Sequence, residues 1–355
     1  MRLINLPANL AKRQDLIRTV SSSRADRIVR LRDLISLGIS HNVRDRDSLI
    51  ELARASGTFV TEKSNRPFDY SSIYRYLAAL LFLKFDLAEN ISSPVVWSPE
   101  AKRLAYISQS SRFSNQITKE EKEILITQIF RSGANAQFLT SFIPNGQEPK
   151  SRRDFETTGR PLYVLGIKKR PTGTAGKDWS SDKVVEVTLD SSAGQVQQKA
   201  VMEFLYTYRL WCLDIELIEE INVKEAARIG VPRAQSHILY PVTMQAPPSP
   251  KEFLDLLYDL VHDDTKPNVL SMPKLLYTLC VDLRMTVQHF KALMVETWET
   301  YRHLLHLERG PGILIKGDLA SKTKDYSERF GNHRYYINID GTVRSNLILR
   351  PRNEN

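Results

Sequence analysis

Apolar residues recur at helical spacing through the first eighty positions of the chain and predict three helices. We expect the first helix between Ser23 and Gly38, the second between Asp47 and Gly57, and the third from Ser71 onward. In each segment the apolar side chains share one face, as in a helix that packs against a core. The pattern then changes, because short extended runs follow the third helix.

The extended runs form a hairpin-like pattern and lead into a further helix. Segments 82–87 and 94–97 flank a polar tip, and Ser98 is placed to cap the helix that follows. Three helices followed by a two-stranded hairpin is the order of a winged-helix domain. In particular, Ser71–Leu83 resembles its recognition helix, and Val95–Ala105 resembles its last wing strand and the helix start after it. The resemblance implies a helix-turn-helix element whose second helix enters the DNA major groove.

The first turns of this third helix hold the candidate DNA contacts. Exposed side chains at the start of such a helix reach base edges, and basic residues just before it suit phosphates. For Arg75 the alternative is a solvated residue that pairs with Asp69. The candidate contacts of this unit are Lys63, Arg66, Ser71, Ser72, Tyr74 and Arg75.

A helical linker follows the first domain. Thr118 and Glu121 form a capping-box pattern at the start of a helix within 117–142, and the polar segment 144–153 marks a boundary. The predicted fold is α+β and mainly helical, with two or three winged helices joined by this linker. The domains are an N-terminal winged helix at 1–112, the linker at 113–153, a middle α+β domain at 154–247 and a C-terminal winged helix at 248–355.

The middle domain is interpreted as a degenerate winged helix. Its basic loop Lys168–Lys177 contains glycines, but Pro171 and Asp178 stand where a phosphate-binding loop needs glycine and serine or threonine. The loop therefore either contacts a phosphate backbone or is an ordinary surface loop. Segments 214–220 and 237–243 are predicted to pair as strands. The candidate contacts here are Lys168, Lys169, Arg170, Gln195, Gln198 and Lys199.

The last hundred residues repeat the order of three helices and a hairpin. The helices are expected to begin after Ser249, Met272 and Thr286, and the strands are expected at 312–316 and 334–341 around a long polar wing. The candidate contacts are Gln288 and Lys291 at the third helix and Lys322 and Lys324 in the wing.

Positive charge is concentrated at the start of the chain. The 355 residues carry 50 basic and 41 acidic side chains, a net charge of +9, and residues 1–84 alone hold 15 basic and 8 acidic ones. A basic face on one domain is typical of a nucleic-acid-binding protein. The alternative is a set of arginine-rich helices that only keep the protein soluble.

Candidate chemistry in the chain is sparse, and we predict neither enzyme activity nor a cofactor. Cys212 and Cys280 form no zinc-binding pair, and His303 and His306 have no further ligand at suitable spacing. The segment Glu120–Lys122 matches a nuclease motif only in its letters, because it lies in the first turn of a predicted helix. Carboxylates far apart in sequence can converge, so a metal-dependent nuclease stays an alternative.

The longest wholly apolar run, Tyr76–Leu83, is far shorter than a membrane span, and the N-terminus has no signal-peptide pattern. We therefore expect no membrane contact and a cytoplasmic protein.

Two helical segments carry a second resemblance. Glu120–Ile129 and Ser191–Leu213 are similar to helices in the DNA-recognition regions of type IIS restriction enzymes, although a nuclease domain is missing. The resemblance implies a double-stranded DNA-binding subunit with a protein partner in a DNA-processing, restriction or antiviral-defence complex. The alternatives are a winged-helix scaffold that binds only proteins and a transcriptional regulator.

Overall fold

The protein has a mixed α+β fold of helices and small, mainly antiparallel sheets in a computed structural model. Two compact units are present. The N-terminal unit comprises Arg2–Gln147 and Asp154–Leu217, and the C-terminal unit comprises Glu148–Arg153 and Ile218–Asn355. The structure describes residues 16–17, 27–60, 66–89, 91–111, 116–131, 150–152, 164–165, 167–168, 184–185, 205–223, 237–242, 246–261, 266–308, 332–339 and 342–352.

Helices dominate the described part of the N-terminal unit. Two short strand pairs accompany them, one parallel between β1 and β3 and one antiparallel between β4 and β5. The helices are α1 (Ile28–Ser40), α2 (Arg46–Ala55), α3 (Tyr70–Phe82), α4 (Pro99–Ile107), α5 (Lys119–Arg131) and α6 (205–214), and the strands are β1 (Leu16–Ile17), β3 (Val164–Leu165), β4 (Ile167–Lys168) and β5 (Val184–Val185).

Side-chain caps mark the starts of α2, α3, α4 and α5, whereas α1 begins at Ile28 without one. Asp45 and Asp69 cap α2 and α3 by accepting hydrogen bonds from backbone amides in the first turn, and Ser98 caps α4 in the same way. Thr118 and Glu121 form the predicted capping box, with reciprocal hydrogen bonds of 2.6 and 3.3 Å. The predicted starts of α2 and α3 are about one residue late, since these helices begin at Arg46 and Tyr70.

The prediction that α1 ends at Gly38 is wrong, because the helix continues to Ser40. Gly38 is buried inside the helix and lies directly under the indole of Trp97, where an added Cβ would stand 2.3 Å from the ring carbon Cζ2. The glycine is needed for this close approach of side chain and helix.

Extended segments join the helices of the N-terminal unit. The extended segment 95–97, called the returning strand below, contains a single β-bridge, Trp97 to Asp86, and is hydrogen-bonded on both sides: Val95 N donates to Arg44 O at 2.8 Å, and Val96 O accepts from Leu87 N at 2.8 Å. This strand therefore lies between the segment before α2 and the segment after α3.

The described part of the C-terminal unit contains three further helices and three sheets. The sheets have the strand orders β2-β7-β6, β8-β12-β9 and β10-β11. The helices are α7 (Pro250–Asp259), α8 (Met272–Asp282) and α9 (Val287–Thr300), and the strands are β2 (Lys150–Ser151), β6 (Ile218–Asn222), β7 (His237–Pro241), β8 (Asn268–Ser271), β9 (Leu305–Glu308), β10 (Ile337–Ile339), β11 (Thr342–Arg344) and β12 (Asn346–Leu349).

One order of elements occurs in a part of each unit. In the C-terminal unit α7, β8, α8, α9, β9 and β12 occur in this order along the chain, with β10 and β11 between β9 and β12, and β12 lies between β8 and β9 through the pairs Leu347↔Leu270 and Leu347↔Leu307. Residues 28–97 of the N-terminal unit show the same order. A helix and an extended segment are followed by two helices and two more extended segments, and the last of these segments lies between the other two.

The strands of the C-terminal unit differ in part from the prediction. The paired strands β6 and β7 confirm that the segments 214–220 and 237–243 pair, but β6 begins only at Ile218, because Asp214 still lies in α6. Residues 334–341, however, contain a 3-10 turn (Asn332–Tyr335) and the short β10, and the strand that pairs with β8 is β12. The predicted strand at 312–316 lies outside the described residues.

Apolar side chains fill the middle of each unit. In the C-terminal unit Phe253, Leu276, Phe290 and Leu347 belong to one buried cluster, together with Tyr240 of β7. Tyr240 OH also donates to Met285 O at 2.9 Å, so the β6–β7 pair packs on the turn between α8 and α9. Among the described helices none is long and apolar enough to cross a bilayer.

Candidate nucleic-acid interface

The N-terminal end of α3 is organised around the carboxylate of Asp69. It accepts a hydrogen bond from Ser72 N at 2.7 Å and another from Ser71 Oγ at 3.1 Å. The hydrogen bonds with Ser72 lower the pKa of Asp69 most, and the charge of Arg75 lowers it further. Asp69 is therefore ionised at neutral pH, and the hydroxyl of the predicted contact Ser71 already has an acceptor within the protein.

Two tyrosines stack at the start of α3. The rings of Tyr70 and Tyr74 lie 6.3 Å apart and nearly parallel, and Tyr70 OH donates to the carboxylate of Asp47 in α2. Burial raises the pKa of Tyr74, which is half-buried. The predicted contact Tyr74 is therefore partly packed, and its ring faces a neighbouring tyrosine.

The predicted basic contacts near α3 lie at the surface. Arg66 is exposed just before the helix, and Arg75 is half-buried one turn into it. Ser72 is also half-buried, and Lys63 lies outside the described residues. Arg66 and Arg75 stay the candidate phosphate contacts at this helix.

Several arginines counted in the basic N-terminal region are internal. Arg32 of α1 is fully buried and pairs with Asp33 at 2.9 Å and with Glu121 of α5 at 3.6 Å. Arg46, at the start of α2, is also buried and pairs with Asp86 at 2.6 Å. Both arginines are therefore out of reach of a ligand, but their carboxylate partners are buried as well, so these pairs do not make the surface less basic.

The outward surface of α4 carries basic residues that the sequence reasoning did not select. Lys102 and Arg103 are exposed and have no partner within the described residues, and Tyr106 is 74% exposed. Spacings of three and four residues place these three side chains, here called the α4 face, on one side of the helix. Among the helices that the structure describes, α4 alone has two exposed basic side chains and no exposed acidic one. The basic-aromatic spacing was the signal in the sequence.

The first turn of α9 in the C-terminal unit is bonded to an internal carboxylate. Val287 N donates to Glu219 Oε2 at 2.9 Å, and Glu219 forms a largely buried ion pair with Arg334. Burial opposes the charge of Arg334, but Glu219 raises its pKa. The predicted contacts Gln288, exposed, and Lys291, half-buried, therefore lie beside a helix N-terminus whose anion position is already occupied.

The other predicted contacts cannot be placed. The backbone of Lys168 lies in β4, but its side chain is outside the described residues. The remaining predicted contacts also lie outside them: Lys169, Arg170, Gln195, Gln198, Lys199, Lys322 and Lys324.

Groups that could hold a metal or act as nucleophiles are few. Within the described residues no three histidine, cysteine or acidic side chains are arranged as a metal site. Cys212 and Cys280 are unpaired with each other and buried, and burial raises the pKa of both thiols. The two thiols are therefore protonated at neutral pH and shielded from reagents.

Comparison of the chain with known proteins gives no relative from which a function could be inferred. No protein-family model, curated protein or solved structure matches the chain. Any assignment therefore depends on the helices and charged surfaces described above.

Proposed function

We propose that the N-terminal unit is a winged helix that binds double-stranded DNA, and that the chain is a non-catalytic DNA-binding subunit. The observation that carries the proposal is the connectivity of residues 28–97, in which the returning strand lies between the segment before α2 and the segment after α3. In this connectivity α3 occupies the position of a recognition helix. Its exposed and half-exposed side chains, Ser71 and Arg75 among them, are then the contacts.

Electrostatics determine how the duplex approaches this helix. Hydrogen bonds at the helix starts keep the pKa values of Asp45 and Asp69 low, so both carboxylates repel phosphates. The attractive groups are Arg66 and Arg75 beside α3 and Lys84 just after it. The duplex therefore contacts the side of α3 that carries Arg75, while the capped end stays away from the backbone.

The test compares two single substitutions that remove the same charge from the same unit. Duplex binding of Arg75→Ala and Arg54→Ala is measured by fluorescence anisotropy over a salt series. Arg54 pairs with Glu51 at 2.9 Å on the exposed side of α2 and serves as the matched control. We expect Arg75→Ala to weaken binding and to lower the salt slope by roughly 0.9, the value for one lost phosphate contact, and Arg54→Ala to change neither. A folded wild-type protein that binds no duplex at low salt refutes the proposal.

A second candidate, a protein-docking module, is favoured by one apolar pair. Leu87 and Val96 face each other across the hairpin through a 2.8 Å backbone hydrogen bond, and both side chains are about half exposed. Exposed apolar pairs of this kind suit contact with another protein. The double variant Leu87→Ser, Val96→Ser separates the two functions. If α3 binds DNA, duplex binding is unchanged in this variant. If the pair docks a protein, the variant no longer binds that protein.

A further inference from the structure

Tyr106 is exposed in a way that the other surface tyrosines are not. Tyr70 stacks on Tyr74 and donates to a carboxylate, and the ring of Tyr206 lies 5.1 Å from the guanidinium of Arg209. Tyr106 has no ring, cation or hydrogen-bond partner among the described residues, although 74% of it is exposed. Its aromatic face is therefore available to a ligand.

The two cations of the α4 face lie next to this ring. Lys102 precedes Tyr106 by four residues and Arg103 by three, so both stand one turn away on the same side of the helix. The acidic residue of α4, Glu100 in its first turn, is half-buried, and neither Lys102 nor Arg103 forms an ion pair within the described residues. A ligand that combines negative charge with a flat apolar ring fits the three groups.

The helix under the α4 face is held rigidly. Its opposite side buries Ala101, Leu104 and Ala105 against α1, and Ser98 Oγ caps it by accepting from Ala101 N at 3.0 Å. Ser98 N also donates to Phe85 O at 2.9 Å, which joins the start of the helix to the hairpin. The three exposed side chains therefore start from a preorganised backbone, and binding loses little backbone entropy.

We infer that the α4 face binds an unpaired nucleic-acid strand. Lys102 and Arg103 hold phosphates, and Tyr106 stacks on a base. Basic residues with an accessible aromatic ring are the recurring elements of single-strand binding, since every base offers a flat face. A duplex keeps its bases stacked on one another and offers the ring no partner, so the exposed tyrosine favours the single strand. The inference goes beyond the proposed duplex contact and does not depend on α3.

The experiment measures binding of a labelled oligothymidylate of about 15 nucleotides, long enough for one such site. Tyr106→Ala weakens binding about tenfold and Tyr106→Phe, which keeps the ring, does not. Lys102→Ala with Arg103→Ala also weakens binding and lowers the salt slope by roughly 1.4, since each phosphate contact on a single strand contributes roughly 0.7. Tyr206→Ala is the matched control, because it removes another half-exposed tyrosine from the same unit and leaves binding unchanged.

Several outcomes overturn the inference. The first is that the wild-type protein does not bind the oligothymidylate at low salt. The second is that a folded Tyr106→Ala variant binds it with wild-type affinity. The third is that this variant weakens duplex binding and single-strand binding equally. Dependence on Lys102 and Arg103 without dependence on the ring of Tyr106 also overturns it, because the site then holds only phosphates. The duplex assay with Arg75→Ala is run in parallel. If duplex binding persists while the oligothymidylate fails, only the single-strand inference falls.

Discussion

The buried ion pair between Arg46 and Asp86 connects α2 to the hairpin, and its removal tests how the N-terminal unit is held together. Asp86 Oδ2 accepts from Arg46 Nη2 at 2.6 Å, while its Oδ1 accepts from the backbone amides of Ala88 at 3.0 Å and Val96 at 2.9 Å. Arg46 Nε also donates to Ser93 O at 2.7 Å. One carboxylate thus neutralises a buried cation and bonds to both sides of the hairpin.

Asp86→Ala leaves this arrangement without its anion. The Arg46 side chain is only 7% exposed, so it loses the charge of Asp86 while it is buried, and two backbone amides lose their acceptor. Breaking a buried pair by removing one partner costs about 3–5 kcal/mol. For a unit of about 210 residues each kcal/mol lowers Tm by about 2–4 °C. The Tm of the N-terminal unit is therefore expected to fall by roughly 6–20 °C.

The assay is thermal and urea unfolding followed by circular dichroism, with hydrogen exchange to locate the change at residues 85–97. The control is Glu51→Ala, which breaks the exposed pair with Arg54 and is expected to cost less than about 1 kcal/mol. If Asp86→Ala lowers Tm no more than Glu51→Ala does, the buried pair does not hold the hairpin and the reasoning is wrong.

Three further changes test other contacts. Gly38→Ala displaces the Trp97 indole, since the new Cβ would lie 2.3 Å from it, and we expect lower stability and an altered tryptophan emission spectrum. The hydrogen bond to Asp47 raises the pKa of Tyr70 from its ordinary value of 10.0 to about 12. The stabilising contribution of this hydrogen bond is therefore complete below pH 10 and lost as the pH rises through 12. In an ultraviolet titration, the Tyr70→Phe variant should lack the ionisation near pH 12. Glu219→Ala removes the carboxylate that pairs with the largely buried Arg334, and urea unfolding should show a loss of about 3–5 kcal/mol.

The helices were predictable because their signals are local. Apolar spacing and capping residues lie within a few positions of each other, and the predicted caps Ser98, Ser249 and Thr286 are confirmed. The prediction for Gly38 was wrong because this glycine makes room for the indole of Trp97, which is remote in sequence. Glycine ends many helices, and only the tertiary contact shows why this one does not.

The candidate site was less predictable than the helices. A charge count cannot distinguish Arg32 and Arg46, which are buried in ion pairs, from Lys102 and Arg103, which are exposed. Partners such as Asp86 are distant in sequence, so no spacing rule identifies them. The spacing of Lys102, Arg103 and Tyr106 is visible in the sequence, but only the structure shows that all three side chains are exposed.

The same connectivity gives different electrostatics in the two units. In the N-terminal unit α3 is capped by its own Asp69, and Arg75 stands half-exposed beside it. In the C-terminal unit the first turn of α9 is bonded to Glu219, and the predicted contact Lys291 lies near that buried carboxylate. A phosphate approaching α9 meets an occupied helix N-terminus, which weakens any anchoring there.

This difference predicts that the two helices do not contribute equally to duplex binding. We expect Arg75→Ala to lower duplex affinity severalfold and Lys291→Ala to leave it nearly unchanged, although both remove one positive charge near the start of the third helix of a unit. Anisotropy titrations at one low salt concentration suffice, since each variant is compared with wild type under the same screening. Equal losses in the two variants would mean that α9 binds DNA despite Glu219, and that the carboxylate does not control access to the helix.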